Sequence, residues 1–247
     1  MRILLLGGTG SIGSAVLESL LARGHEVLAL GRSDEARKKL LRAGATPVAG
    51  DLAEPTHWIG AVHQVDGIIQ AAAEWGDQMN EIDQHFVTVL LDELKDSDAT
   101  KRFIYTGGCW LFGNTGDETA AEGDELNPLK ADEYTVRRCK KLMKSDVFDT
   151  IIIHPAMVWD RDGGVLSSIL ESARSGKTVS VVYSPEVRWP MVHREDVASL
   201  YRLALEKGKP GRDYHGAAGD AVTVEDLATA LGRRVAYSPT FEVVSED

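Results

Sequence analysis

Three glycines recur at every third position near the start of the chain, Gly7, Gly10 and Gly13, within the run GGTGSIG. Counted from Gly8 the spacing is GxGxxG, and from Gly7 it is GxxGxxG. Such a run works through its backbone. Glycines let the chain approach a ligand closely, and where they open a helix, its unpaired N–H groups and positive dipole end suit a pyrophosphate. The elements that would position it stand on either side. Ile3 to Leu6 form an apolar run suited to a strand buried on both faces, and from Ser11 the residues Ile12, Val16 and Leu20 mark one face of a helix. A strand, a tight turn and a helix in that order make dinucleotide binding the expected use, with Gly7, Thr9, Gly10, Ser11, Ile12 and Gly13 as the cradle.

The rest of the chain repeats the strand-and-helix alternation. Glu26 to Leu30 reads as a second strand, followed by Gly31-Arg32-Ser33. In a dinucleotide fold this strand end faces the adenosine ribose, where an acid favours NAD and an arginine accommodates the 2′-phosphate of NADP. Gly31 stands in the acid position and Arg32 follows it, so an NADP preference is expected. The competing view makes Arg32 a solvated loop cation and Asp34 the N-cap of a helix over Glu35 to Ala43. After a third strand, Thr46 to Ala49, Asp51-Leu52 offers a carboxylate that suits an adenine amino group and equally a helix cap. A fourth strand, Gly67 to Ala73, ends in Ala71, Ala72 and Ala73, small enough for a cofactor to lie against the backbone.

Glu81 to Lys95 is read as a core-packing helix. A fifth strand, Phe103 to Thr106, opens into GGCWLFG, and the acidic run Asn114 to Leu126 reads as a mobile loop near the cofactor. A further helix, Ala131 to Lys144, carries Tyr134 and Arg138 one turn apart. After a sixth strand, Ile151 to Ile153, the rhythm loosens. Val179 to Tyr183, Arg188 to Asp196, Tyr214 to Ala217 and Val224 to Leu231 read as elements of a smaller lobe. The expected fold is α/β: a Rossmann-type doubly wound parallel sheet over residues 1–155, with a small C-terminal α/β substrate lobe over 156–247 packed on it.

Composition narrows the function classes. The 27 basic against 38 acidic residues give a net charge of −11, so no broad cationic surface is available for nucleic acid or anionic lipid. The two cysteines, Cys109 and Cys139, suggest neither a disulfide scaffold nor a zinc cluster, and the seven histidines show no metal-ligand spacing. No apolar stretch approaches the ~20 residues that cross a membrane or the ~7–15 of a signal peptide, so a soluble, cytoplasmic protein is expected.

Taken in order, GGTGSIG, Asp51-Leu52, the alanines at Ala71, FIYTGGCWLFG at Phe103, HPAMVW at His154 and RWPMVHREDVA at Arg188 resemble the extended branch of the short-chain dehydrogenase/reductases, the NAD(P)-dependent epimerase/dehydratase family. The resemblance implies a Tyr-xxx-Lys pair on the helix after the fifth strand, with a Ser or Thr at that strand's end. Tyrosine would be the acid/base, and a nearby cation would lower its pKa from ~10. Tyr134 lies 26 residues after Gly108, close to the family's separation, and takes the tyrosine position. Gly108 stands where the hydroxyl belongs, so Thr106 and Cys109 are its nearest substitutes. The lysine position is Arg138, which by the resemblance would bind the cofactor together with Tyr134 by hydrogen-bonding the nicotinamide ribose, though it is a delocalised fork rather than a compact ammonium. The resemblance also adds Pro155 and Val158 to the cofactor-binding residues.

For the substrate, Arg188 corresponds to an arginine that meets nucleotide-sugar phosphate, and is equally explained as a surface ion-pair partner; His193 belongs to a structural segment. Trp110 and Trp159, with Trp75 and Trp189, could wall an apolar or ring-shaped pocket or serve packing alone. Two functions compete. One is an NADP-preferring oxidoreductase or epimerase acting on a hydroxyl- or carbonyl-bearing small molecule such as a sugar or nucleotide-sugar. The other is a non-catalytic NADP(H)-binding sensor or scaffold, suggested by Gly108 and Arg138. A homodimer through the helices Glu81 to Lys95 and Ala131 to Lys144 is a family expectation.

Overall fold

Seven short strands form one parallel sheet, apolar and buried at its centre and more polar at its two edges, TPVA on one side and RDYHG on the other. The computed structural model describes residues 1–73, 76–97, 100–161, 164–182, 184–234 and 237–244. The first six strands are β1 (Arg2–Leu6), β2 (Glu26–Gly31), β3 (Thr46–Ala49), β4 (Gly67–Gln70), β5 (Lys101–Thr106) and β6 (Phe148–Pro155). The seventh, Arg212–Gly216, lies outside β6, and the order across the sheet is seventh, β6, β5, β4, β1, β2, β3. All six pairings are parallel. Helices α1 (Ser11–Leu21), α2 (Asp34–Arg42), α3 (Met79–Leu94) and α4 (Glu133–Met143) make crossovers. Ile3–Leu6, Ile68, Ile69, Phe103, Ile104, Ile151 and Ile153 are wholly buried, as strands covered on both faces must be.

Strand order reverses beside β1, whose neighbours are β2 and β4. At such a switch point the loops leaving the carboxyl ends diverge to opposite faces and open a crevice, the usual ligand site of open α/β sheets. The turn after β1 and the alanines after β4 both lie there.

Two local readings are corrected. The N-cap of α2 is Ser33, not Asp34: its Oγ accepts the Ala36 N–H at 3.1 Å, and Asp34 is the first helical residue, where its charge faces the positive dipole end. The stretch at Tyr214, expected in the smaller lobe, is the seventh strand of the main sheet, paired with β6 in the register Tyr214 to Ile153 and His215 to His154.

Packing divides the chain into two units. One comprises Met1–Pro155 with Glu195–Gly216, the other Ala156–Arg194 with Ala217–Asp247. The second has its own apolar cluster around Ile169, Val179, Val181, Val224, Ala228 and Leu231. Its strands pair Met157–Trp159 with Met191–His193, Val179–Val182 with Phe241–Val244, and Arg188–Trp189 with Val222–Thr223. Among the described residues no helix is long and apolar enough to cross a membrane.

In the first unit, Arg102 of β5 caps the helix Arg194–Lys207. Its Nη1 donates to Ala204 O at 3.2 Å, Leu205 O at 3.1 Å and, just past the helix, Gly208 O at 2.9 Å, at the end where carbonyls run out of N–H partners; Ala204 O also accepts the Gly208 N–H at 2.9 Å. Arg102→Leu is therefore expected to lower the unfolding free energy by about 1.5–3 kcal/mol, the range for hydrogen bonds to a charged group. Urea titration followed by circular dichroism measures it; an unchanged midpoint would contradict the capping role.

Candidate cofactor and catalytic site

The glycine turn leaves β1 at Gly7, whose φ of +86° is open to glycine at little cost. A Cβ there would stand 2.5 Å from Ala71 O, so the turn lies directly against the chain leaving β4. Gly10 is the N-cap of α1 with no side-chain cap bond, and its N–H donates to Gly7 O at 2.9 Å. A Cβ on Gly13 would overlap the Gly7 carbonyl, so this glycine lets α1 seat on the turn. The helix thus starts with N–H groups that no capping side chain covers, beside Thr9, Ser11 and Ile12. Ala71 N–H pairs with Leu6 O at 3.1 Å and Ala72 N–H with Gln70 Oε1 at 3.0 Å, which holds the Ala71-Ala72-Ala73 segment across from Gly7. Backbone donors at a helix start, backed by small residues on both strands, fit a pyrophosphate.

The ribose end is built from β2 and β3. A Cβ on Gly31 would fall 2.7 Å from Arg37 Cγ, so no acidic side chain fits while Arg37 holds its place. Arg37 is fixed by its bond to Gly31 O at 3.1 Å and by its pair with Asp34. Arg32 is largely exposed and its Nε lies 3.9 Å from Asp51 Oδ2. Asp51 also accepts the Ala53 N–H at 3.0 Å through Oδ1, the local-cap role weighed against adenine binding, while Leu52 is buried below it. Lys39 Nζ reaches Thr9 O at 3.5 Å, bringing another cation to the glycine turn that the sequence did not reveal.

The expected proton-transfer residues are distributed differently. Thr106 Oγ1 is held between Gln70 O at 2.5 Å and the Tyr201 hydroxyl at 2.6 Å. Cys109 opens a 3-10 turn, Cys109–Phe112, and burial pushes its thiol up to about 11, which keeps it protonated at neutral pH. At Gly108, a Cβ would run into the Trp110 indole, itself exposed on its other side. The missing hydroxyl therefore has an aromatic ring in its place.

Arg138 is 6% exposed and already engaged. Its Nη1 is 2.6 Å from Asp83 Oδ2 on α3, and its Nη2 donates to Asn80 O at 3.0 Å and Asn80 Oδ1 at 2.8 Å. Asp83 also accepts from the Tyr105 hydroxyl and from Gln70 Nε2 at 3.2 Å. This buried network ties α3 and α4 to β4 and β5. The guanidinium that stands in the lysine position is thus turned to Asp83 and Asn80. Tyr134 does lie beside it, with the guanidinium carbon 5.4 Å from the ring centroid. The phenol is nevertheless held above its ordinary pKa: burial is the largest cause, Asp132 and Asp83 add to it, and the pull of Arg138 is outweighed. The expected lowering is not found. Tyr134, Arg137, Arg138 and Lys141 of α4 line a cavity of about 170 Å³ with Asn80, Gln84, Val87 and Thr88 of α3.

One cluster went unnoticed in the sequence. At the carboxyl ends of β6 and the seventh strand, His154 and His215 stand side by side with ring centroids 5.8 Å apart, and Phe112 packs edge-on against both at 5.4 and 4.6 Å. His215 Nε2 is 3.9 Å from Asp213 Oδ2. The loop read as mobile is pinned here: Gly123 N–H donates to Asp213 Oδ2 at 3.3 Å and His215 N–H to Glu122 Oε1 at 3.0 Å. His154 is the residue before Pro155. Burial brings its pKa down from an ordinary 6.5 to about 4, against the opposing pull of Asp213.

The remaining named residues lie in the second unit. Val158 and Trp159 are in the strand paired with Met191–His193, and the Trp159 ring meets His193 at 5.0 Å. Arg188 is exposed on its two-residue strand, and Trp189 packs on that unit's apolar cluster. Trp75 lies outside the described residues. Among the described residues no group of His, Cys, Asp and Glu could hold a metal ion.

Known proteins give this geometry a family. The chain is 30% identical over 241 residues to the uncharacterized protein YLL056C of Saccharomyces cerevisiae, covering 94% of this chain and 80% of the relative. It is 25% identical over 245 residues to a 4-hydroxy-2-methyl-3-oxo-4-farnesyl-3,4-dihydroquinoline-1-oxide ketoreductase of Stigmatella aurantiaca, covering 94% and 72%. In fold it is similar to a dTDP-glucose 4,6-dehydratase of Streptomyces venezuelae solved with NAD, with a TM-score of 0.83 at 19% identity over 100% of this chain and 85% of that one. The model of the NAD dependent epimerase/dehydratase family matches residues 3–215, which takes in the glycine turn, all seven strands of the parallel sheet but for one end residue at each extreme, and His154 and His215, and the chain belongs to that family.

Proposed function

We propose that the chain is an NAD(P)-dependent oxidoreductase or epimerase that prefers NADP and acts on a hydroxyl- or carbonyl-bearing small molecule. The observation that carries the cofactor preference is the end of β2, where Arg37 takes the room an acidic side chain at Gly31 would need and Arg32 presents a cation. A 2′-phosphate would compete with Asp51 for that guanidinium and outbid it in charge. Bound dinucleotide supplies hydride chemistry. The chain's own residues then hold the phosphates at Gly7 to Gly13 and move a proton at the substrate oxygen.

Tyr134 is assigned the proton. Its phenol is protonated at neutral pH and can donate to a carbonyl oxygen; passing the proton the other way, from an alcohol, requires the phenolate. Thr106 and Cys109 assist through hydrogen bonds, Arg138 holds Tyr134's surroundings, Pro155 contacts the cofactor and Trp110 the substrate; Val158, Trp159 and Arg188 are the ligand contacts assigned to the second unit. NADPH oxidation against a panel of aldehydes, ketones and sugar nucleotides tests this. Tyr134→Phe should lose roughly 10²-fold or more in turnover while binding NADPH as before; undiminished turnover would remove the assignment.

Arg32→Ala should weaken NADPH by on the order of 10-fold and leave NADH nearly unchanged, as loss of one charge-assisted phosphate contact requires. Equal losses for both nucleotides would refute the preference. The alternative reading, a non-catalytic NADP(H) sensor or scaffold, draws on the indole over Gly108 and the engagement of Arg138 with Asp83. NADPH binding with no turnover across the panel would favour it.

A further inference from the structure

The turn after β5 has lost its hydroxyl, yet it is not an unsupported turn. A Cβ at Gly107 would lie 2.5 Å from His154 Nδ1 and 2.7 Å from its Cε1, so the imidazole occupies the space of a side chain at 107. One residue on, Gly108 N–H donates to the same Nδ1 at 3.3 Å, and a ring over Gly108 is supplied by Trp110. Gly107 N–H is bound to Ile153 O at 2.8 Å, next to His154 in β6. The His154 ring is 3% exposed and wedged by Phe112 and His215.

We propose that His154 is a positioning residue for the reaction: as a neutral imidazole with its proton on Nε2, it holds the Gly107-Gly108 turn and the Trp110 indole in place through the Gly108 N–H, and protonation releases them. The inference rests on the oxidoreductase reading for its use in turnover, but the hydrogen bond is testable without it. Only an unprotonated Nδ1 can accept; an added proton sets two donors against each other and breaks the bond. The groups facing the ring are Asp213 and His215 from the seventh strand, with Glu122 of the loop bound to the His215 N–H. Asp213 draws a proton toward the cluster and His215 opposes it, while burial keeps His154 neutral until about pH 4.

Amide and imidazole signals of the ¹⁵N-labelled chain, without cofactor or substrate, give the direct test. The Gly108 amide should shift together with the His154 ring signals as pH falls toward about 4. His154→Asn, whose side-chain oxygen can accept from Gly108 without titrating, should abolish that coupled shift. In NADPH-dependent turnover at neutral pH, His154→Phe should cost on the order of 10-fold or more, as small misplacements at reaction centres do, with NADPH affinity retained; His154→Asn should restore most of it. A Gly108 amide that does not follow His154, or full turnover in a folded His154→Phe chain, overturns the proposal. If the wild-type chain turns over nothing in the panel, the oxidoreductase reading fails, and the Gly108 shift alone then decides whether His154 holds the turn.

Discussion

Asp83→Ala is expected to lower the unfolding free energy by about 3–5 kcal/mol, the cost of leaving a buried charge unpaired. The Arg138 guanidinium is 6% exposed and Asp83 14%, so the charge left behind is mostly shielded from solvent. The same substitution strands the Tyr105 hydroxyl and Gln70 Nε2, which both donate to Asp83. Asp83→Ala combined with Arg138→Leu should recover part of the loss, because the second change removes the orphaned charge. Urea unfolding of the two single variants and the double variant measures the coupling. A loss under about 1 kcal/mol in Asp83→Ala, the size of an exposed pair, would show that the network contributes little.

Gly13→Val should abolish dinucleotide binding at concentrations where the wild-type chain is saturated, a weakening of at least about 100-fold, or roughly 2.7 kcal/mol. The added Cβ overlaps the Gly7 carbonyl, a backbone atom that cannot swing aside, so α1 must withdraw from the turn and carry its N–H donors with it. The contact is between the turn and the first helix, leaving the sheet intact, so the variant should still unfold cooperatively. Quenching of tryptophan fluorescence by NADPH reads the affinity, and a change of less than about 10-fold would mean that the phosphates sit elsewhere.

Acid should destabilise the chain through His154. Its folded pKa of about 4 lies below the ordinary 6.5, so between those values the unfolded chain binds the extra proton. Stability from this group is complete above 6.5, falls as pH drops through the interval and changes no further below about 4. In His154→Asn that part of the pH dependence should vanish. Thermal melts across the interval measure it; parallel profiles for the two proteins would contradict the burial argument.

The strands were legible because burial on both faces demands unbroken apolar runs: Ile3 to Leu6 is such a run, and β1 is where it was expected, one residue longer. Helix starts were less legible, since Ser33 and Asp34 are both good capping residues and the choice depends on which oxygen meets the Ala36 N–H. The Asp83 network left a trace that a strictly apolar reading of α3 passes over. Asp83 precedes Val87 by four and Leu90 by seven, so it lies on the buried face and needed a partner; Arg138, 55 residues later, is that partner. Tyr134 and Arg138 were correctly placed one turn apart, but which way a guanidinium turns depends on the nearest buried carboxylate, which spacing alone does not reveal. His154 and His215 are 61 residues apart, and they meet through the register of β6 with a strand that had been assigned to another lobe. Neither the register nor the return of the chain to the main sheet is written in local pattern.

Isothermal titration calorimetry of the chain with NADP, NADPH, NAD and NADH addresses the cradle at Gly7 to Gly13 most directly. Saturable heat at one nucleotide per chain is expected, tighter for the two phosphorylated nucleotides than for the other pair. No heat of association from any of the four, in a protein whose melt shows it folded, would contradict the assignment of that turn to a pyrophosphate and every role placed around it.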